Sequence, residues 1–147
     1  MNTPPPLHRD QRAVDRDHLN LLAIFHFVVA GLAFLSLGFL AVHFAFMRAI
    51  LDNPEMLKGG RSAGPPPEFL AMFKWFYAIF SVAAILAVLG NLLSGFYIRA
   101  RRNRTFSIVV AALDCLQVPF GTVLGVFTII VLVRESVREL YESGEQT

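Results

Sequence analysis

The chain has 147 residues, a net charge of +2, an apolar fraction of 55% and a charged fraction of 16%. Soluble domains are nearer a quarter charged, and the net charge is too small to indicate a nucleic-acid partner. A single cysteine, Cys115, excludes an intramolecular disulfide. The length allows one domain, and the charges cluster at the ends and in two short loops, which leaves long stretches with none. We therefore predict one all-α integral membrane domain over residues 1–147, surrounded by the lipid bilayer.

The first predicted transmembrane helix covers residues 20–46, which contain no Lys, Arg, Asp or Glu. About 20 such residues suffice to cross the hydrocarbon core. Residues 1–19 lack the apolar core and cleavage site of a secretory signal, so we expect a cytoplasmic segment and an uncleaved first helix. Residues 47–68 contain a Gly-Pro-Pro-Pro run and are predicted to form an irregular outer loop.

The second predicted transmembrane helix covers residues 69–98. Its first part mixes one cation with aromatic side chains, a pattern typical of a membrane interface, and the predicted anchors are Lys74, Trp75 and Tyr77. The inner loop that follows, residues 99–104, holds four arginines: Arg99, Arg101, Arg102 and Arg104. Between two apolar segments, such a cluster indicates the cytoplasmic side of the membrane.

Residues 105–133 carry one charge, Asp114, and have Pro119 near their centre. As one helix they would be about 43 Å long, against a core of about 30 Å, whereas two halves would each reach only about 21 Å. The segment therefore forms either one kinked helix or a short helical hairpin over residues 105–118 and 119–133. A single crossing would place Arg134 and Arg138 outside, so the tendency of cations to stay inside favours the hairpin.

Residues 134–147 are predicted to be a cytoplasmic tail that begins as an amphipathic helix, because apolar residues recur there at helical spacing. Small residues predict close contacts between helices, and Gly121 and Gly125 form a G-x-x-x-G motif that suits packing within the monomer or self-association. The predicted packing and turn residues are Gly90, Ser94, Pro119, Gly121 and Gly125.

Four polar residues within the apolar segments are predicted to form one layer: His26, Asn91, Asp114 and Gln117. The first three lie about 9–15 Å from the cytoplasmic ends of their helices. Each shares a helical face with small residues, which places the polar groups toward protein. The layer fixes helix register through hydrogen bonds, or relays protons or binds an ion, or its members make no contact with one another.

A haem site is a further alternative, because His26 and His43 both lie in the first helix. They are about 25 Å apart along the axis, so they cannot ligate one haem within a monomer. The sequence contains no P-loop, G-x-S-x-G or H-E-x-x-H motif. We therefore expect a protein that is not an enzyme and has no cofactor and no metal.

Two segments resemble a family of small bacterial membrane proteins. Residues 21–31, Leu-Leu-Ala-Ile-Phe-His-Phe-Val-Val-Ala-Gly, resemble its opening segment. Residues 115–128, Cys-Leu-Gln-Val-Pro-Phe-Gly-Thr-Val-Leu-Gly-Val-Phe-Thr, and the Arg-Glu-Ser-Val at 134–137 resemble its closing segment. The resemblance implies a bacterial inner-membrane protein and brings no activity. Asp114 stands where the family has a small uncharged residue, which weighs against a proton role.

The leading functional expectation is a helix-packing scaffold or accessory subunit of a larger membrane complex. Its partners would be other membrane subunits or further copies of itself. The first alternative is a homo-oligomeric channel, or a proton or ion pathway, that uses the polar layer. The second alternative is a haem-binding membrane redox protein.

Overall fold

The computed structural model describes residues 7–53 and 66–144. Within these ranges the chain is helical, without strands, and its helices are α1 (Leu7–Leu51), α2 (Pro67–Ala100), α3 (Arg104–Asp114), α4 (Phe120–Val133) and α5 (Glu135–Gly144). The predicted all-α architecture is confirmed.

Two helical segments are long and apolar enough to cross a membrane, Ala13–Leu51 and Pro67–Ala100. A third would exist only if α4 and α5, which meet at an angle of 72°, were counted as one broken span. The chain is therefore a membrane protein. Both long helices extend past the predicted boundaries, because charged residues end an apolar stretch without ending a helix.

The predicted outer loop is shorter than residues 47–68, since α1 continues to Leu51 and α2 begins at Pro67. Proline suits this first helical position because its missing N–H would have no partner there. Residues 54–65 lie outside the described residues, as do residues 1–6 and 145–147.

The arginine-rich loop is reduced to the three residues 101–103. Arg101 and Asn103 adopt left-handed backbone conformations with φ of 53° and 49°. Such conformations are uncommon outside glycine, although asparagine tolerates them better than most residues. Two left-handed residues in three reverse the chain at once, so that α3 returns along the end of α2.

The helices α3 and α4 form an antiparallel hairpin around a turn at residues 115–119. Gly121 lies against the backbone oxygen of Asp114, and Gly125 against that of Ala111. With 11 and 14 residues, the two helices are about 16 and 21 Å long, each shorter than a hydrocarbon core of about 30 Å. Of the two predicted arrangements, the protein adopts the short hairpin.

The chain divides into two compact units, the first of which comprises Met1–Ala30 and Leu89–Thr147. Its apolar core joins α1, α2, α4 and α5 through Leu19, Leu22, Ala23, Ile98, Leu124, Val131, Leu132, Val137, Leu140 and Tyr141. The apolar face of α5 is thus buried, which agrees with the predicted amphipathic tail. One end of this unit is formed by three segments: the beginning of α1, the last turns of α2, and α5.

The second unit, Gly31–Val88, contains the remaining parts of α1 and α2. Among its described residues only Tyr77 is buried. The two helices meet through aromatic rings, with ring centroids of Phe73 and Tyr77 4.6 Å apart and those of Phe44 and Tyr77 5.1 Å apart. Most apolar side chains of this unit consequently face outward.

Candidate functional site

Three of the four residues of the predicted polar layer meet inside the first unit. The Nδ1 atom of His26 lies 2.8 Å from Oδ1 of Asn91, and Nδ2 of Asn91 donates to Oδ1 of Asp114 at 2.8 Å. A fourth residue, Thr128, places its Oγ1 3.3 Å from Nε2 of His26. None of the four is more than 2% exposed. These residues, one from each of α1 to α4, are called the polar cluster below.

The hydrogen-bond pattern assigns a proton position on His26. Because Asn91 turns its amide nitrogen toward Asp114, its oxygen faces His26 and can only accept. Nδ1 of His26 must therefore carry a proton. In a neutral imidazole Nε2 is then an acceptor, and the hydroxyl of Thr128 can donate to it. A neutral histidine thus satisfies both of its ring nitrogens within the cluster.

Small residues allow the four helices to approach closely enough for these bonds. On the face of His26, Ala23 and Ala30 are buried, and Ala111 is fully buried one turn before Asp114. Gly95, one turn after Asn91, lies against the ring of Phe27, which a Cβ atom would approach to 2.8 Å. The small residues that flank each polar residue in the sequence therefore lie where the helices contact one another.

Gln117 does not join the polar cluster, and its predicted place in the layer is wrong. The helix α3 ends at Asp114, and Gln117 lies in the turn that follows, with an exposed side chain. Its backbone oxygen accepts hydrogen bonds from the N–H groups of Gly121 and Thr122 at 2.8 and 3.2 Å. Three residues after the end of a helix, the side chain no longer follows the helical face of Asp114.

Thr128 was missed in the sequence because threonine in an apolar helix commonly bonds to its own backbone and so carries little information. A signal was nevertheless present. Thr128 follows Gly121 and Gly125 on one face of α4, which is the face that packs inward. A polar residue on a glycine-marked face is a candidate for contact with another helix.

Three buried oxygens near the polar cluster or on the same helix faces have no hydrogen-bond partner: Oδ2 of Asp114, Oγ of Ser94 and Oγ of Ser107. The first lies 3.8 Å from Nδ1 of His26, close enough for charge attraction but beyond hydrogen-bond distance. Both ring nitrogens of His26 have hydrogen-bond partners within the cluster. The described residues contain no group of three or more His, Cys, Asp and Glu that could hold a metal ion.

The predicted helix-packing and turn residues all belong to the first unit, and most of them lie where two helices pack together. Ser94 is fully buried, whereas Gly90 has ordinary space beside it, since a Cβ atom there would lie 3.6 Å from a methyl group of Val110. Gly121 and Gly125 are used between α3 and α4, so the G-x-x-x-G motif serves packing within the chain. Pro119 lies in the turn of the hairpin, as predicted.

The predicted interfacial anchors divide into two kinds. Trp75 and Lys74 are exposed, and Lys74 borders a cleft of about 180 Å³ together with Arg48, Phe44 and Phe73. Tyr77 is 7% exposed, and its hydroxyl is hydrogen-bonded to Nδ1 of His43. Tyr77 is therefore packed against α1, and its place as an interfacial anchor stays a prediction.

A second buried polar contact was not foreseen. Nη1 of Arg134 donates to Oδ1 of Asp15 at 3.3 Å, and Asp15 is fully buried while Arg134 is partly exposed. The pair joins the beginning of α1 to the residue between α4 and α5. The one signal in the sequence was that both residues lie just outside apolar segments at the same predicted face of the membrane.

The four predicted topology residues, Arg99, Arg101, Arg102 and Arg104, lie at the junction of α2 and α3.

Comparisons of the chain with protein-family models, with curated proteins and with solved structures found no match.

Proposed function

We propose that the protein is a non-enzymatic helix-packing scaffold or accessory subunit of a larger complex in the bacterial inner membrane. It would associate through apolar helix faces with other membrane subunits or with copies of itself. The observation that carries this proposal is the second unit, in which Tyr77 is the only buried residue among those described.

The exposed faces of the second unit are bulky as well as apolar. They include Phe34, Leu35, Phe39, Trp75, Ile79 and Leu86, each more than half exposed. Lipid tails are as apolar as these side chains, so association in a membrane depends on packing shape rather than on hydrophobicity. Ridges of aromatic and branched side chains on two helices offer such a shape to a partner helix.

The polar cluster fits this proposal because its hydrogen bonds hold the helices of the first unit together. Each of its four residues comes from a different helix, and the bonds between them fix the relative rotation of α1 to α4. Polar side chains inside membranes hydrogen-bond across helices in this way. The intramembrane histidine and aspartate then have a structural role that requires no transported substrate.

The proposed topology has both termini in the cytoplasm and the hairpin of α3 and α4 entering the membrane without crossing it. The proximity of Asp15 and Arg134 supports this arrangement, because it requires the beginning of α1 and the end of α4 to lie on one side. The lengths of the two hairpin helices, about 16 and 21 Å, support it as well.

The decisive experiment is to measure the mass of the native particle after gentle extraction, and to identify its proteins. We expect a particle that contains other membrane subunits or several copies of this chain. A monomer surrounded only by lipid, extracted under conditions that preserve known complexes of the same membrane, would contradict the proposal.

Tryptophan substitutions locate the contact. Ala78 and Ala83 are both exposed on α2 in the second unit and point about 140° apart at 100° per residue. We expect Ala78→Trp or Ala83→Trp to reduce the particle mass. The matched control is Ala112→Trp at an exposed position of α3 in the first unit, which should leave the particle unchanged.

A proton or ion pathway is the second candidate, favoured by the unpartnered Oδ2 of Asp114 beside His26. Purified protein in liposomes would then conduct protons or monovalent cations, and Asp114→Asn and His26→Ala would abolish the flux. Absence of flux in the unsubstituted protein removes this candidate and leaves the structural role of the polar cluster in place.

A further inference from the structure

The junction between α2 and α3 concentrates positive charge. Arg99, Arg101, Arg102 and Arg104 fall within six residues. Among the described residues, no carboxylate forms an ion pair with any of the four, although Arg48, Arg134 and Arg138 all have such partners. Four guanidinium groups at the end of an apolar helix lie at the depth of lipid headgroups, where phosphate is the abundant anion.

Two buried polar atoms lack a partner, the Nε atom of Arg104 at this junction and the hydroxyl oxygen of Tyr141 in α5. Tyr141 is only 6% exposed. A buried hydroxyl without a hydrogen bond loses its contacts with water and gains none in return, so structures seldom retain one without a reason. Both groups can donate a hydrogen bond, and both therefore require an acceptor.

Tyr141 packs in the same buried apolar cluster as Ile98, the residue before Arg99, so α5 lies beside the end of α2. Burial raises the pKa of Tyr141 to about 12, while the positive charges of Arg104 and Arg101 act on its hydroxyl in the opposite direction. The tyrosine thus remains a neutral donor at physiological pH. The positive charges of the same two guanidinium groups would attract an anion placed between them.

The beginning of α3 adds backbone donors to the same place. Asn103 occupies the N-cap position in a left-handed conformation, and its side chain forms no capping bond. The backbone oxygen of Asn103 accepts from the N–H groups of Phe106 and Ser107, whereas the N–H groups of Arg104 and Thr105 receive no capping bond from its side chain. The helix dipole favours an anion there.

We propose that Arg101, Arg104 and Tyr141, together with the first turn of α3, bind the phosphate group of an anionic phospholipid. The guanidinium groups supply paired N–H donors that match phosphate oxygens, and the tyrosine hydroxyl supplies one more. Arg104 is only partly buried, so its side chain is partly accessible to a headgroup. The acyl chains would lie along the apolar surface of the adjoining helices.

Native mass spectrometry of the full chain from nanodiscs tests the proposal, with phosphatidylglycerol as the probe and phosphatidylcholine as the zwitterionic comparison. We expect one phosphatidylglycerol to remain bound in preference to phosphatidylcholine. Arg104→Gln should weaken this binding about tenfold, since loss of one hydrogen bond to a charged group corresponds to about one decade. Tyr141→Phe should weaken it about threefold and leave the fold intact, because the hydroxyl has no partner in the protein.

The matched control is Arg102→Gln, which removes the same charge from an exposed neighbour outside the pair of arginines that acts on the Tyr141 hydroxyl. We expect this variant to bind the lipid nearly as well as the unsubstituted protein. Equal weakening by Arg102→Gln and Arg104→Gln would show diffuse attraction to the membrane surface and would overturn a defined site. Circular dichroism and thermal unfolding establish that each variant is folded before its lipid binding is compared.

Inorganic phosphate distinguishes the source of the anion. If about 10-fold excess phosphate over lipid, on the order of millimolar, displaces phosphatidylglycerol completely, the site recognises free phosphate and the lipid proposal fails. If the lipid is retained, both its phosphate and its acyl chains contribute, as proposed.

Discussion

Asn91 is the residue on which the polar cluster depends. A side-chain amide presents an acceptor and a donor group side by side, so it can bond to an imidazole N–H and a carboxylate at the same time. Asn91 uses both, with each distance at 2.8 Å. A serine or a glutamate at this position would satisfy one neighbour and leave the other unpaired.

Replacement of Asn91 by leucine should therefore destabilise the first unit. Two cross-helix hydrogen bonds are lost, and at the strengths known within membranes the expected cost is about 1–3 kcal/mol. Reversible unfolding in mixed micelles measures it. Asn20→Ala, at an exposed position of α1, is the control and should change little. Equal stability of Asn91→Leu and the unsubstituted protein would show that the cluster does not fasten the helices.

At the scale of single elements, the hairpin of α3 and α4 depends on two glycines. A Cβ atom on Gly125 would collide with the backbone oxygen of Ala111 and lie 2.6 Å from Sγ of Cys115. The oxygen of Ala111 belongs to the backbone and cannot move aside by a side-chain rotation. The helices must separate to accept a methyl group at this position.

Gly125→Ala should thus lower the free energy of unfolding by about 1–3 kcal/mol, the usual range for overpacking. Gly31→Ala is the matched control, since nothing lies within 4 Å of its Cβ position. It should be neutral or stabilising by up to about 1 kcal/mol, because alanine is the better helix former. If Gly125→Ala changed only the oligomeric state, with unaltered monomer stability, the motif would serve self-association instead.

Besides its buried apolar face, α5 is held by the residue before it, because Arg134 contacts the buried Asp15. Removing the cation would leave a buried carboxylate without its charge partner. Because Arg134 is 44% exposed, solvent weakens the pair, and we expect Arg134→Gln to cost about 1–3 kcal/mol rather than the larger penalty of a fully buried pair.

Limited proteolysis of the tail should report this change as faster cleavage after Arg134→Gln. The control is Arg138→Gln, whose partner Glu142 lies one turn away on the exposed face of the same helix. Exposed pairs of this kind contribute little, so cleavage should be unaffected. Faster cleavage in both variants would mean that helix propensity, and not the contact with Asp15, keeps α5 in place.

The elements could be predicted as far as local pattern determines them. Uninterrupted apolar stretches predict both long helices, and the fixed rise of a helix places His26, Asn91 and Asp114 at one depth. The end of α3 at Asp114 was not visible, because residues 115–118 continue the apolar pattern, and Gln117 was misplaced for that reason. Asp15 and Arg134 are 119 positions apart, and no local pattern connects residues at that separation.

The whole molecule combines a first unit with a fastened polar interior and a second unit with almost no interior. The hydropathy pattern indicated that both units lie in the membrane. It did not indicate that the first unit has a buried interior and the second has almost none. The apolar stretches 20–46 and 75–98 each run through both units. Hydropathy does not distinguish a side chain that faces lipid from one that faces another helix.

Topology is tested at this scale by labelling single cysteines in a Cys115→Ala background. We expect Glu135→Cys, exposed at the start of α5, to react only with reagent on the cytoplasmic side. Asn53→Cys, exposed just after α1, should react only from the opposite side and serves as the internal control. Reaction of both positions from the same side would exclude the proposed arrangement of α1, and periplasmic labelling of Glu135→Cys would exclude the hairpin topology.

The span of sequence between His26 and Thr128 has a consequence for how the chain is made. The two residues are 102 positions apart, so a ribosome that adds about 5–20 residues per second completes the histidine's surroundings roughly 5–20 s after the histidine itself. During that interval the nascent first helix carries an imidazole that its finished neighbours have not yet enclosed. A chain that stops before the last helices would keep this polar group open, and membrane proteases could distinguish it from the complete protein.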